Sequence, residues 1–304
     1  MAQVDNYRHK DGRTYHNESE SRYLLPNDSE EIDRLKRQHD LMKVTLDGLY
    51  SVPLKRKLKH GITVLDGGCG PGGWSLDMAA KYKNSQFHGV DMFEKQFPDE
   101  KDRLANTEFI EGNLVNKIPY PDNTFDYVYQ RLLCMALTSQ QWEDNLKEDL
   151  RVMKPGGYIE LVEYDHSKMS GYGPTFAKQQ DAIEKYQTSQ GIPPFIATEL
   201  VDRLKQAGFT NIKKRVKKQL FCRIDNEKGQ LTGDAILCAF QGLGPHLCEI
   251  VPAWKDAKVY KQHLQDCRVE AATNKAYLYC NVITAQKPKD SSSTWNPNLG
   301  CRIS

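Results

Sequence analysis

Apolar residues recur along the chain in two rhythms. From Asp28 onward, Ile32, Leu35, Met42, Leu46 and Leu49 stand three, four or seven positions apart, the spacing of one helix face. Asp28 and Glu31 have capping-box spacing and Glu30 adds a second acid to the first turn, so a helix is predicted to start there. It reads as a leader helix lying on a larger body, followed by a short basic helix, PLKRKLK, before Gly61. Beyond it, short apolar runs alternate with helical ones. Strands are predicted at Ile62–Asp66, Gln86–Val90, Glu108–Glu111, Phe125–Tyr129, Tyr158–Glu163, Asn211–Phe221 and Ala276–Ala285. Helices are predicted at Gly72–Lys83, Ser139–Met153, Pro174–Gln190 and Pro194–Ala207, the second closing on a KPGG stop. This alternation is that of a doubly wound α/β sheet.

The pattern divides the chain into an N-terminal arm (1–25), leader helices (26–60), one α/β domain (61–288) with a helical insertion (226–272), and a tail (289–304). Arm and tail are polar and read as mobile, although Tyr15 and Tyr23 can be held if the arm folds over a pocket. The 304 residues suit one large domain with additions. Lysine and arginine number 42 against 40 acids, a balance that gives no global argument for a nucleic-acid partner. With no apolar run near 18 residues and a polar N-terminus, neither a membrane span nor a secretory signal is read, and a cytoplasmic or nuclear location is expected. The eight cysteines are scattered without a C-x-x-C pair, which argues against zinc and a disulfide framework, and no metal is expected.

One segment, VLDGGCGPGGW (Val64–Trp74), concentrates the candidate chemistry. An apolar strand ends on Asp66 and enters a turn in which Gly68, Gly70 and Gly72 let the backbone bend sharply and approach a ligand closely. The helix after it offers free N–H groups to an anion. Gly68, Gly70 and Gly73 also satisfy G-x-G-x-x-G, so the loop alone fits a dinucleotide or an S-adenosylmethionine site. Asp66 favours the second, because a carboxylate at the strand tip repels a pyrophosphate and attracts an amino acid's ammonium group. Asp91 lies 19 positions beyond Gly72 at the end of the second strand, where its two oxygens can accept hydrogen bonds from both ribose hydroxyls.

Four segments in order resemble the class I S-adenosylmethionine-dependent methyltransferases over Gly61 to Pro288: VLDGGCGPGG, FHGVDM, FIEGNLVNKIPYPDNTFDYVYQR and VMKPGGYIELVE. The leader SRYLLPNDSEEIDRLKRQHDLMK resembles a fungal branch that includes the methyltransferase partner of velvet-type regulators of secondary metabolism. The resemblance implies a Rossmann-like seven-stranded sheet, mostly parallel with an antiparallel last strand, and S-adenosyl-L-methionine as cofactor. It also implies cofactor contacts from Asp66, Gly68, Gly70 and Asp91. Asn113 stands where the family reaches the adenine amino group, with Leu114 on one adenine face. Met92 covers the other face or fills core, and Gln130 matches the position bordering the methionine portion.

An acceptor pocket beyond strands four and five points to Tyr129, Gln130, Arg131, Glu163, Tyr164 and His166. His166 is the candidate catalytic residue, a proton acceptor near neutral pH, against the alternative of a solvated loop histidine. Tyr23 and His39 of the leader either close the pocket or only pack the leader onto the sheet. The turn YQRLL is not the N-P-P-Y type that grips a planar amide or base amine, and no Pro-Cys pair offers the thiolate for cytosine C5 attack. The basic run Lys213–Lys218 either guards an edge strand or attracts an anion. Cys301 begins a C-a-a-X-like terminus, so lipidation and peripheral membrane association compete with a plain surface cysteine. The expected function is methyl transfer to an oxygen or nitrogen of a small-molecule acceptor. The alternatives are a protein side-chain acceptor, a regulatory subunit whose leader helix or insertion binds a protein partner, and a nicotinamide-dependent oxidoreductase.

Overall fold

A computed structural model of the chain describes residues 7–10, 13–16, 24–26, 28–222 and 225–289. Within the arm, expected to be mobile, β1 (Tyr7–Lys10) and β2 (Arg13–His16) pair as an antiparallel hairpin. The leader forms α1 (Ser29–Leu46) and α2 (Lys55–His60). Asp28 caps α1 by accepting the Glu31 N–H at 3.1 Å, while the Glu31 carboxylate turns to a buried fork with Arg34 at 2.6 and 2.7 Å.

The domain then runs β3 (Thr63–Gly67), α3 (Gly73–Lys81), β4 (Gln86–Asp91), β5 (Thr107–Glu111), β6 (Phe125–Arg131), α4 (Ser139–Val152) and β7 (Met153–Tyr164). It continues as α5 (Pro174–Ser189), α6 (Ile196–Ala207), β8 (Thr210–Leu220), α7 (Glu227–Leu247), α8 (Ala257–Thr273) and β9 (Tyr277–Gln286). The seven-stranded sheet has the order β5-β4-β3-β6-β7-β9-β8, and β9 runs antiparallel to both its neighbours. The doubly wound sheet with an antiparallel last strand is the expected one. The KPGG segment, expected to be a stop before the strand, instead lies inside β7, where the register against β6 shifts between Phe125 and Tyr127. The basic run Lys213–Lys218 lies on β8, at the sheet edge.

Strand alternation divides the core in two. Val64, Tyr127, Tyr129 and Val162 face α1, α3, α5 and α7, whereas Leu65, Val128, Ile159 and Leu161 face α4 and α6. On the first face, the Trp74 ring stacks on Tyr129 at 4.1 Å between centroids, and its Nε1 donates to Leu49 O at 2.6 Å. That bond ties the leader to the centre of the sheet. So does Glu160, fully buried on β7, which accepts the Ser51 and Val52 N–H groups at 2.8 and 3.2 Å and the Tyr127 hydroxyl at 3.1 Å. Burial pushes its carboxyl upward from the usual range, and these donors pull it back.

Removing Glu160 leaves three donors without an acceptor in an apolar layer. Glu160→Ala is expected to cost about 3 kcal/mol and to lower the thermal midpoint by roughly 5–10 °C, read by calorimetry. An unchanged midpoint would show that the leader docks without it.

Candidate active site

The glycine turn is held to the next strand by its own backbone. Gly68 and Cys69 N–H donate to Val90 O at 2.8 and 3.2 Å, and Gly70 N–H donates to Asp91 Oδ2 at 2.8 Å. Gly68, Gly70 and Gly72 have φ of 70, 50 and 70°, the left-handed region that glycine tolerates. They differ in what a side chain would meet. A Cβ on Gly72 would lie 2.4 Å from the Phe109 ring, whereas one on Gly70 meets nothing closer than 3.6 Å. Gly70 therefore borders open space.

That space is a cavity of about 430 Å³ at the carboxyl ends of the strands. Asp66, Gly68, Gly70, Asp91, Met92, Asn113, Leu114 and His166 all line it, so the two strand-tip acids share one cavity. Asp66 accepts the Ser75 hydroxyl at 2.8 Å. Burial pushes its pKa up to about 6, opposed by Ser75 and by Arg131, with Asp91 reinforcing the rise. Asp91 is raised by burial and lowered by the amides of Gly70, Phe93 and Met92; Phe93 N–H reaches its Oδ1 at 3.2 Å. Its oxygens together keep acceptor capacity for a further donor. Asn113 Oδ1 accepts the Val115 N–H at 3.0 Å.

Gln130 is corrected. Its side chain lies on the opposite face of β6 from Tyr129 and Arg131, fully buried against α4. There its Nε2 donates to Asn145 Oδ1 at 3.1 Å and Asp149 Oδ1 at 2.9 Å, and its Oε1 accepts from Asn145 Nδ2 at 2.9 Å. It braces the underside of Gly67 and does not face the cavity. Glu163 is displaced from the acceptor pocket for the same reason: it accepts the Leu133 and Cys134 N–H groups at 2.8 and 3.2 Å and shapes the loop after β6 from behind. Tyr129 is buried under Trp74. Of the six expected acceptor-side residues, Arg131, Tyr164 and His166 line the cavity. Burial depresses His166 to about pKa 4, opposed by Asp165, so it is neutral at pH 7 and a weak base.

His39 also lines the cavity. Its Nδ1 accepts from Arg131 Nη2 at 3.0 Å and its Nε2 faces Asp77 Oδ2 at 3.1 Å, which also pairs with Lys43 at 2.9 Å. Burial, then the Arg131 charge, lowers His39 to about pKa 4, which fixes it as a neutral ring donating through Nε2. It thus both packs the leader and borders the pocket. Tyr23 and Cys301 lie outside the described residues.

Two features lacked a sequence signal. Leu25, Leu35, Ile236, Ala239 and Phe240, from the leader and α7, roof the cavity with apolar surface. Gln96, 5% exposed, lines it near Gly70, and its Nε2 has no partner among the described residues. An amino-acid ammonium needs an acid, a ribose needs paired acceptors, and an adenosyl group needs close backbone approach. Asp66, Asp91 and the open side of Gly70 supply these, so the cavity fits S-adenosylmethionine. Among the described residues no His, Cys, Asp and Glu grouping forms a metal site, and no helix is long and apolar enough to cross a membrane.

Residues 64–157 match the family model described as a methyltransferase domain. The chain is similar to the class I S-adenosylmethionine-dependent methyltransferases, whose cofactor is S-adenosyl-L-methionine. Within that class it is related to fungal proteins of the laeA and sirN type. It is 33% identical over 147 residues to the N-methyltransferase sirN of Leptosphaeria maculans, covering 47% of this chain and 50% of that one. It is 29% identical over 215 residues to the secondary metabolism regulator laeA of Aspergillus niger, covering 67% and 54%. Among solved structures, the YcgJ protein of Bacillus subtilis superposes with a TM-score of 0.49 at 16% identity, over 83% of this chain and 100% of that one. The chain spans about half the length of the curated relatives it matches.

Two predictions separate the turn's roles. Gly72→Ala drives a Cβ into Phe109 and is expected to destabilise the fold by about 2–3 kcal/mol in denaturant unfolding. Gly70→Arg places its side chain in the cavity and is expected to abolish S-adenosylhomocysteine binding in calorimetry while the protein still folds. A third prediction concerns pH. An Asp66 that titrates near 6 must ionise to receive an ammonium, so affinity is expected to be full above pH 7. It should fall on acidification, approaching about tenfold per unit below pH 6. Asp66→Asn should bind weakly and lose most of that dependence; a wild-type affinity flat from pH 7 to 5 would contradict the assignment.

Proposed function

We propose that the chain transfers a methyl group from S-adenosylmethionine to a nitrogen or oxygen of a small-molecule acceptor in fungal secondary metabolism. The observation that carries this is the single cavity bounded by Asp66, Asp91 and the glycine turn on one side and by apolar roof residues on the other. Asp66 receives the ammonium, Asp91 the ribose hydroxyls, Asn113 and Leu114 the adenine, and Met92 its remaining face. The bound cofactor supplies an electrophilic methyl on a sulfonium.

Displacement at that carbon disperses positive charge, so this chain's residues contribute mainly alignment and exclusion of water. Leu25, Leu35, Met135, Ile236 and Phe240 make the acceptor side apolar. His166, neutral above about pH 4, is placed to accept a proton released by an N–H or O–H acceptor. The similarity to an N-methyltransferase supports nitrogen as the acceptor atom. A second reading, a regulatory subunit acting through a protein partner on α1 or α7, is supported by the secondary metabolism regulators among the relatives, laeA included.

Calorimetry with S-adenosylmethionine is expected to give one saturable site, with no binding of NAD. Asp91→Ala should lower that affinity by about 100-fold, from loss of two charge-assisted hydrogen bonds. Transfer of a labelled methyl group to amine- and hydroxyl-bearing small molecules, but not to protein fractions, tests the acceptor class. Binding without turnover on any acceptor favours the regulatory subunit.

A further inference from the structure

Arg131 ends β6 on the face that carries Tyr129, the register partner of Asp66 on β3, and so stands two residues further along, beside the Asp66 carboxylate. Its guanidinium lines the cavity and is close enough to lower the Asp66 pKa. Its one hydrogen bond among the described residues goes to the neutral ring of His39, and no carboxylate there lies within ion-pair distance of it. A guanidinium has five donors in a planar fork suited to a carboxylate. An amino acid's ammonium and carboxylate share one carbon. A site that takes the first at Asp66 therefore presents the second within reach of a side chain beside it.

We propose that Arg131 binds the α-carboxylate of the cofactor's methionine end, and that His39 of the leader helix is the positioning residue that holds the guanidinium there. This rests on the methyltransferase reading above. His39 fills that role because its other nitrogen is anchored to Asp77 on α3, itself paired with Lys43. The chain Arg131–His39–Asp77–Lys43 carries the amino-acid end of the site from the sheet into the leader. Recognition of that end then depends on α1 being docked, whereas recognition of the adenosyl end, at Asp91 and Gly70, does not. An anionic acceptor is the other source of a carboxylate, and the ligands below distinguish the two.

The test compares S-adenosylhomocysteine with 5′-methylthioadenosine, which keeps the adenosyl end and lacks the amino acid, by calorimetry on the full chain. Wild type is expected to prefer S-adenosylhomocysteine. Arg131→Gln should weaken that ligand by roughly 10- to 100-fold and leave methylthioadenosine within about twofold. Arg131→Lys, a point charge without the fork, should fall between, as should His39→Leu. If Arg131→Gln does not fold, the other two variants carry the same comparison. Equal losses for both ligands, or an unchanged ratio, would overturn the assignment and leave the methyltransferase reading standing. Wild type that binds neither ligand would overturn both.

Discussion

The site depends on one backbone clip. The carbonyl of Val90 accepts the amides of Gly68 and Cys69, and the neighbouring Asp91 carboxylate accepts that of Gly70, so the turn after β3 is tied to the tip of β4. Asp91 O also receives Gly112 N–H at 2.9 Å, which brings the end of β5 to the same point. Three strand ends are thereby held at a common level. Without that clip the two acids would end their strands independently, and a cavity able to hold both ends of a nucleoside sulfonium would have no fixed span. The left-handed φ values of the turn are the condition for it, since non-glycine residues reach that region only with strain.

Buried acids serve twice in this fold. Glu160, Glu163 and Asp91 each accept backbone amides from a loop crossing their strand, and each is raised by burial, a rise that those donors only partly offset. Glu163, pushed up to about 7, stays bound to the Leu133 and Cys134 amides from the side of the sheet away from the cavity. The loop it holds contributes Leu132 through Leu137 to the cavity wall. One mechanism, a carboxylate satisfied by peptide N–H groups, thus builds the scaffold on β7 and the ligand surface on β4. What separates the roles is whether a lone pair remains facing open space.

Most of the fold was legible because its signals are local and redundant. The leader stripe, the seven apolar runs and the glycine turn each carry their own period or stop, and all agree. Asp66 and Asp91 were legible as strand-terminal acids after apolar runs. Gln130 and Glu163 were misplaced because strand position was read without strand phase. Counting back from Tyr129 and Tyr164 by twos sends both side chains to the α4 and α6 layer, so the alternation already present in the sequence held the correction. Gln96 had no such signal: it sits in a single 3-10 turn whose approach to Gly70 is a tertiary accident of the β4–β5 connection. The roof was invisible for a related reason, because α1 and α7 meet across some two hundred residues of chain.

The roof is less constrained than the floor of the cavity. Floor residues are set by strand register, and a change there disturbs the whole sheet. The roof is built where α7 passes the leader so closely that a Cβ on Gly242 would lie 3.1 Å from Pro26 and 3.2 Å from Leu25. Contacts of that kind are apolar and tolerate side-chain exchange provided volume is kept. Leu25, Leu35, Ile236 and Phe240 can therefore change without moving Asp66, Asp91 or the turn. The same roof is also an exposed helical pair on its outer side, with Val44 of α1 and Leu231 of α7 respectively 38% and 43% accessible. The cavity roof and the outer surface are then set by the same two helices, so a surface change that shifts α1 would reach the cavity through His39 and Arg131.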